Sequence, residues 1–312
     1  MSVDLKKIST ESRNPNTFDI DVVSTIDILK KINNEDKTVA YAVEKALPSI
    51  AEVVDKVYNA FLNGGRLIYM GAGTSGRIGI LDAVECPPTY GVDYNMVMCL
   101  MAGGEKAFIK AVEGAEDSFS QGKADLINAN LTSKDVVIGI AASGRTPYVI
   151  GGVHYANEIG AVTVCITTSA NSIIASIVKH PIVAVTGPEP ITGSTRMKSG
   201  TAQKMICNMI STASMVKMGK VYENLMIDVK ATNEKLVSRS LSIICTILEC
   251  DIEEAKELLK KYQTVKKVIF ASFTSEEDLN VIDEYLNSEH GNIRKAINKY
   301  KENLKWKLVI MN

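Results

Sequence analysis

Residues 66–91 read RLIYMGAGTSGRIGILDAVECPPTYG, and this stretch decides the fold. Arg66 to Met70 is a short apolar run bounded by glycines, the pattern of a strand covered on both faces in a parallel sheet. Gly71, Gly73 and Gly76 let the backbone turn sharply and bring its N–H groups close to an anion. Helix formers follow from Arg77 to Val84, so the turn opens a helix, where unpaired amides and the macrodipole attract negative charge. Thr74 and Ser75 add hydroxyl donors, which makes the turn a candidate phosphate cradle. GAGTSG also satisfies the G-x-G-x-x-G pattern of dinucleotide sites, but that reading needs a carboxylate after the second strand to hold a ribose. Here the next expected strand, Asn95 to Met101, runs into Ala102, Gly103 and Gly104. Two hydroxyls beside Arg77 suit a phosphomonoester better, and a purely structural turn is the remaining alternative.

Downstream, strand and helix patterns alternate, which is the signature of a parallel sheet with helices on both faces. The spacing predicts strands at 66–71, 95–101, 135–142, 161–167 and 181–186, and helices at about 76–85, 104–121, 146–159 and 171–178. The fold class is therefore α/β, a three-layer αβα sandwich on a five-stranded parallel sheet. Upstream, helical periodicity at Val23–Ile32 and Val39–Leu62 predicts two helices parted at Asn34 and Glu35, the second ended by Asn63, Gly64 and Gly65. The polar first 20 residues form an arm whose order depends on contact with the body or a partner subunit. Beyond the sheet come a helix from about Thr201 to Lys217, a short extended stretch at Asn224–Asp228, a helix from Asn233 to Cys250, and a bundle of short helices over 251–303. The expected divisions are an N-terminal arm with helices (1–63), a ligand-binding domain (64–235) and a C-terminal helical domain (236–312).

Ligands in such sheets bind beyond the carboxyl ends of the strands. Three loops there share one chemistry: GAGTSGR after the first strand, Ser143-Gly144-Arg145-Thr146-Pro147 after the third, and GPEPITGSTRMKSGT, residues 187–201, after the fifth. Each joins glycines, hydroxyls and a basic group, the donors a phosphorylated polyol needs.

The 312 residues, 46% apolar and 23% charged, have the composition of an ordinary globular chain with room for one large domain and a smaller one. A formal net charge of -1 supplies no electrostatic attraction for nucleic acid or a membrane surface. The first residues carry no apolar signal core, and no run of about 18 apolar residues occurs, so the expected location is the cytoplasm. Six cysteines without a C-x-x-C pair read as buried free thiols, although Cys86 beside a carboxylate is a conceivable reactive one. Three scattered histidines give no metal-site spacing.

Two groups of carboxylates stand out. Glu85 precedes Cys86, Pro87 and Pro88, which predicts a helix end where the dipole disfavours its charge and makes it a proton donor. Glu113, Glu116 and Asp117 fall late in the helix predicted after Gly104, near one face, where crowded like charges make one of them basic. Spacing alone does not choose among the three, and a solvated helix face is the alternative.

The strings TESRNPNT, NNEDKTVAYAVEKALP, RLIYMGAGTSGRIGILDAVECPPTYGV, AGGEKAFIKAVEGAEDS, VVIGIAASGRTPYV, TGSTRMKSGTAQK and LMIDVKATNEKL resemble the N-acetylmuramic acid 6-phosphate etherase family of the sugar isomerase (SIS) domain superfamily. The resemblance runs from about residue 8 to 240, with a looser match at EHGNIRKAI in the tail. It implies a SIS fold and a lyase that releases D-lactate from N-acetylmuramic acid 6-phosphate during recovery of cell-wall sugar. It further implies a homodimer with sites near the subunit interface, and no metal or organic cofactor. Carried over, Glu85 is the proton donor and Glu116 the second catalytic residue. Thr74, Ser75, Ser143 and Thr146 are the expected phosphate ligands, and Gly73, Arg145, Ser194, Arg196 and Lys198 are further candidates for substrate contact. An aldose-ketose isomerase on the same sheet and a non-catalytic sugar-phosphate sensor are the competing readings. The pair Glu85 and Glu116 argues against a sensor, and the lack of a basic DNA-binding helix argues against a repressor.

Overall fold

The computed structural model describes residues 11–228 and 234–311. The first ten residues of the arm and the expected start of a helix at Asn233 lie outside them. Five strands, β1 (Leu67–Gly71), β2 (Val97–Met101), β3 (Val136–Ile140), β4 (Val162–Thr167) and β5 (His180–Val183), form one sheet in the order β2-β1-β3-β4-β5. All neighbours run parallel, in register from Leu67 opposite Val97 and Val136 to Gly71 opposite Met101 and Ile140. The predicted α/β class and five-stranded parallel sheet are therefore what the chain adopts.

The strands are near-continuous apolar runs because both faces are covered. On one face Ile68, Met70, Val137 and Cys165 pack in a core with Leu126 of α5 (Phe119–Asn128), with Tyr148, Val149 and Val153 of α6 (Pro147–Ile159), and with Ile174 of α7 (Ile173–Ile177). On the other, the Tyr69 hydroxyl meets α3 (Gly73–Tyr90) and α8 (Lys198–Lys217). Two helices precede the sheet, α1 (Thr25–Glu44) and α2 (Leu47–Leu62).

Three local expectations are corrected. The break between α1 and α2 falls at Lys45–Ala46, just before Pro48, and α1 runs straight through Asn34 and Glu35. The single helix predicted over 104–121 is instead α4 (Lys106–Ile109), an extended Lys110, and a 3₁₀ turn at Ala115–Asp117 that enters at Gly114, where φ is 71°. Ser118 then caps α5 by accepting from the Gln121 amide. Finally, α3 does not stop at Glu85 but continues through Pro87 and Pro88 to Tyr90. The prolines leave the carbonyls of Ala83 and Val84 without i+4 donors while the helix carries on, so the argument that Glu85 sits at a helix end does not hold.

The chain divides into two compact units: 1–85 with 93–212, and 86–92 with 213–312. The second contains a short antiparallel hairpin, β6 (Val221–Tyr222) with β7 (Leu225–Met226), and five helices: α9 (Glu234–Leu248), α10 (Ile252–Tyr262), α11 (Val265–Thr274), α12 (Leu279–Ser288) and α13 (Ile293–Met311). Its own core is built on Ile244, Val268, Phe270, Ile282 and Ile293, with Tyr300 edge-on to Phe270 at 5.7 Å. The expected bundle over 251–303 is present.

The base of the sheet is tied by one ion pair. Arg66, ahead of β1, donates through Nη2 to Asp135 Oδ2 at 2.8 Å and through Nε and its backbone amide to Oδ1. Burial opposes the Asp135 charge, but the Arg66 guanidinium and the Thr132 amide outweigh it and hold the carboxyl below its ordinary range. Because the folded value is depressed, this stabilisation is present above the unfolded value near pH ~3.9 and is lost as pH falls through the folded one. Asp135→Asn should lower unfolding stability by about 3 kcal/mol at neutral pH and narrow the gap to wild type below pH ~3. Equal denaturation midpoints for the two proteins at pH 7 would sink this assignment.

Candidate active site

The turn after β1 is shaped by backbone meeting backbone. A Cβ on Gly71 would lie 2.6 Å from the Gly76 nitrogen, and one on Gly76 would lie 2.8 Å from the Gly71 oxygen, so neither position accepts a side chain. That close approach starts α3 immediately at the strand end, and its first amides have no carbonyl of their own helix to meet. In the order β2-β1-β3-β4-β5 the crossovers diverge between β1 and β3, the crevice where ligands bind in open α/β sheets. The loops carrying Thr74 and Ser75 and carrying Ser143, Arg145 and Thr146 flank that crevice. Thr146 caps α6 without a side-chain capping bond, so its hydroxyl is not committed to the helix.

Beside the turn lies a cavity of about 310 Å3, lined by Gly73 and Arg77 of α3, by Met101 and Ala102 at the end of β2, and by Val112, Glu113 and Glu116. Arg77 donates through Nε to the Phe108 carbonyl at 2.7 Å and through Nη2 to that of Ala107 at 2.8 Å, which ties α4 over the cavity. Glu116 therefore shares one cavity with the helix start. Glu113, Glu116 and Asp117 do not share a helix face, since the left-handed Gly114 and the 3₁₀ turn separate them.

Glu85 is placed elsewhere. It lies twelve residues beyond Gly73 on α3, about 18 Å of helical rise, is exposed, and is not among the residues lining that cavity. Within one chain the two carboxylates do not come together. The flanking Leu81 and Val84 are 50% and 51% exposed, an apolar face beside an acid.

The 187–201 loop is held in an unforeseen way. Lys198, a candidate for substrate contact, is buried, and its ammonium is taken by the Glu35 carboxylate at 2.6 Å and the Pro188 carbonyl at 3.2 Å. Its role in the fold is thus to anchor the loop. Burial opposes the Glu35 charge, but Lys198 and the amides of Asn16 and Asn14 prevail and hold its carboxyl low. Asn14 donates to the Pro188 carbonyl and Thr17 to that of Pro190, which clasps the described part of the N-terminal arm to the same loop. Buried Glu189 accepts from the Lys198 and Ser199 amides at 2.8 and 2.9 Å and caps α8. Ser194 is half-buried and Arg196 exposed on the outer part of the loop. On the cradle side, a Cβ added at Gly200 would touch the Thr74 methyl at 3.5 Å, and Ser75 donates to Gln203 at 2.9 Å.

Cysteine chemistry finds no support. None of the six cysteines forms a disulfide, and Cys86 is buried. Burial pushes the Cys165 thiol up to about 12 and holds those of Cys99 and Cys207 far above their ordinary value. Among the described residues no cluster of metal-ligating side chains occurs, and no helix is long and apolar enough to cross a membrane.

Residues 49–157 match the glucokinase regulatory protein N-terminal SIS domain family, and residues 117–213 match the SIS domain family. An N-acetylmuramic acid 6-phosphate etherase of Vibrio campbellii is 52% identical over 297 residues, 95% of this chain and 96% of that one. One from Clostridium botulinum strain Hall is 55% identical over 296 residues, 95% and 98% of the two chains. The chain belongs to the N-acetylmuramic acid 6-phosphate etherase family. In this member of the family the loop 187–201 is held by Glu35 through Lys198, and the sequence around Glu35 carries no sign of that contact. A phosphoheptose isomerase from Neisseria gonorrhoeae aligns at 14% identity with a TM-score of 0.48, covering 61% of this chain and 98% of its own.

Glu35→Gln leaves the Lys198 ammonium buried without its carboxylate, which should cost about 3 kcal/mol in stability. Hydrogen exchange across residues 187–201 should accelerate in the same variant. An unchanged melting point with unchanged exchange in that loop would show that the pair does not hold it.

Proposed function

We propose that this chain is a carbon-oxygen lyase that cleaves the D-lactyl ether of N-acetylmuramic acid 6-phosphate, giving N-acetylglucosamine 6-phosphate and D-lactate in the cytoplasm. The observation that carries the reading is full-length identity above half with etherases, joined to a carboxylate-lined cavity at the phosphate-binding end of the sheet. The substrate's phosphate rests on the first amides of α3 and on Thr74, Ser75, Ser143 and Thr146, where helix dipole and hydroxyls favour a dianion. Gly73, Arg145, Ser194 and Arg196 are the proposed contacts to the rest of the substrate.

In the open-chain sugar the C1 aldehyde acidifies the C2 hydrogen. Glu116 removes that proton, and the resulting enolate expels the C3 oxygen as lactate while Glu85 protonates it. Water then adds across the C2–C3 double bond, hydroxyl to C3 and proton to C2, to give N-acetylglucosamine 6-phosphate. Acid–base groups alone supply these transfers.

Since Glu85 stands about 12 Å of helix beyond Arg77, the reading requires a second copy of the chain to bring its Glu85 to this cavity. The exposed Leu81 and Val84 beside Glu85 supply an apolar face for such a contact, and a two-fold dimer would complete two equivalent sites at once.

Glu85→Gln and Glu116→Gln should each lower D-lactate release at least about a hundredfold. Mixed after unfolding and refolding together, the two inactive variants should recover about a quarter of wild-type activity, because half the dimers carry one intact site. No recovery would place both acids in one chain's site and defeat the shared arrangement, while near-normal turnover in either single variant would remove that residue from the chemistry.

A further inference from the structure

Gln203 lies on α8 at 1% exposure, opposite the turn after β1. Its Oε1 accepts the Ser75 hydroxyl at 2.9 Å, and its Nε2 is buried with no partner. An amide donor buried without a partner loses its hydration and gains nothing in return, so this arrangement is poor as a purely structural contact. It also conflicts with Ser75 as a phosphate ligand. A serine hydroxyl has one proton, and here that proton is spent on Gln203, leaving lone pairs to face an oxyanion.

We infer that Gln203 is a positioning residue that sets the polarity of Ser75 for a phosphate monoester dianion. When the side-chain amide turns over, Nε2 donates to Ser75 Oγ and the Ser75 proton is released toward a phosphate oxygen. One turnover of a planar group then gives the buried amide donor a partner, leaves the carbonyl oxygen, which tolerates being unpaired better than an N–H, in its former place, and frees the Ser75 proton for the phosphate, with no backbone movement.

The inference rests on the phosphate cradle proposed above, and the test separates the two. Ser75→Ala, Gln203→Met and the double variant are compared for KM and kcat on N-acetylmuramic acid 6-phosphate, and for binding of N-acetylglucosamine 6-phosphate by calorimetry. Ser75→Ala and Gln203→Met should each raise KM and Kd about tenfold with kcat within about threefold of wild type, the size of one charge-assisted hydrogen bond. The double variant should be no worse than Ser75→Ala, because Gln203 acts through the serine. If Ser75→Ala binds product normally, the cradle reading fails. If Ser75→Ala is weakened but Gln203→Met binds normally, or the two losses multiply, the role of Gln203 is overturned. Should Gln203→Met fold poorly, Gln203→Glu, which can accept from Ser75 but not donate, should show the same KM defect with kcat retained. Wild-type KM in that variant would equally refute the proposal.

Discussion

Everything at the candidate site depends on a buried carboxylate that does no chemistry. Asp82, on the inner face of α3, accepts from the Tyr69 hydroxyl of β1 at 2.9 Å, from Asn208 Nδ2 at 2.6 Å and from Ser211 at 3.0 Å, the last two on α8. A carboxyl group with 4% exposure is tolerable only if its lone pairs are filled, so β1, α3 and α8 are locked at one separation. Replacing those donors by apolar groups would let α8 slide along α3. The separation matters at the other end of the same contact, where Gln203 meets Ser75. A rigid second layer of this kind is what a binding turn needs, because a donor displaced by 1 Å loses most of its value.

A second constraint comes from the opposite direction. The 187–201 loop has many glycines and hydroxyls and would be mobile on composition alone, yet it is fastened at both faces. Glu189 caps α8 from inside the loop, while Glu35, Asn14 and Thr17 hold its Lys198, Pro188 and Pro190 from the N-terminal segments. The buried Glu35–Lys198 pair spans 163 positions of sequence. Its net contribution to stability is modest, because desolvating two charges offsets most of their attraction, but it fixes which loop conformer is populated. The described part of the N-terminal arm is therefore fastened to the 187–201 loop.

What was legible in the sequence follows the range of the interactions. The unit of β1, glycine turn and α3 could be read because strand, turn and helix start are each set by residues within a few positions, and the parallel order follows from alternation of such units. The break placed at Asn34 and Glu35 was a misreading of polarity: a charged residue inside a helix looks like an interruption until its partner is known, and Lys198 is far away in the chain. Pro87 and Pro88 misled similarly, since a proline pair forbids donors but not helical φ. The carboxylates at 113–117 do not lie on one helix face, because Gly114 takes a left-handed conformation that spacing alone cannot reveal. Glu189 and Gln203 were invisible for a plainer reason. Each acts by what it touches, and a lone glutamate or glutamine in a helical or loop pattern carries no periodic signal.

The division of labour along α3 explains why one chain looks half-equipped. Its N-terminal end supplies dipole, amides, Thr74 and Ser75, and faces the cavity through Gly73 and Arg77. Its far end carries Glu85 about 18 Å away, on a helix that two prolines do not stop. A helix of this length cannot serve both ends of one small sugar. It can serve two sugars if a two-fold axis lays the partner's helix across the first, bringing the acid of each chain to the cradle of the other. Such an arrangement makes catalysis conditional on assembly: a lone chain would bind the phosphate and remove the C2 proton, but would have no acid to release the lactyl oxygen. In the proposed dimer, separating base from acid across an interface would protect the bound aldehyde from elimination until the two chains assemble.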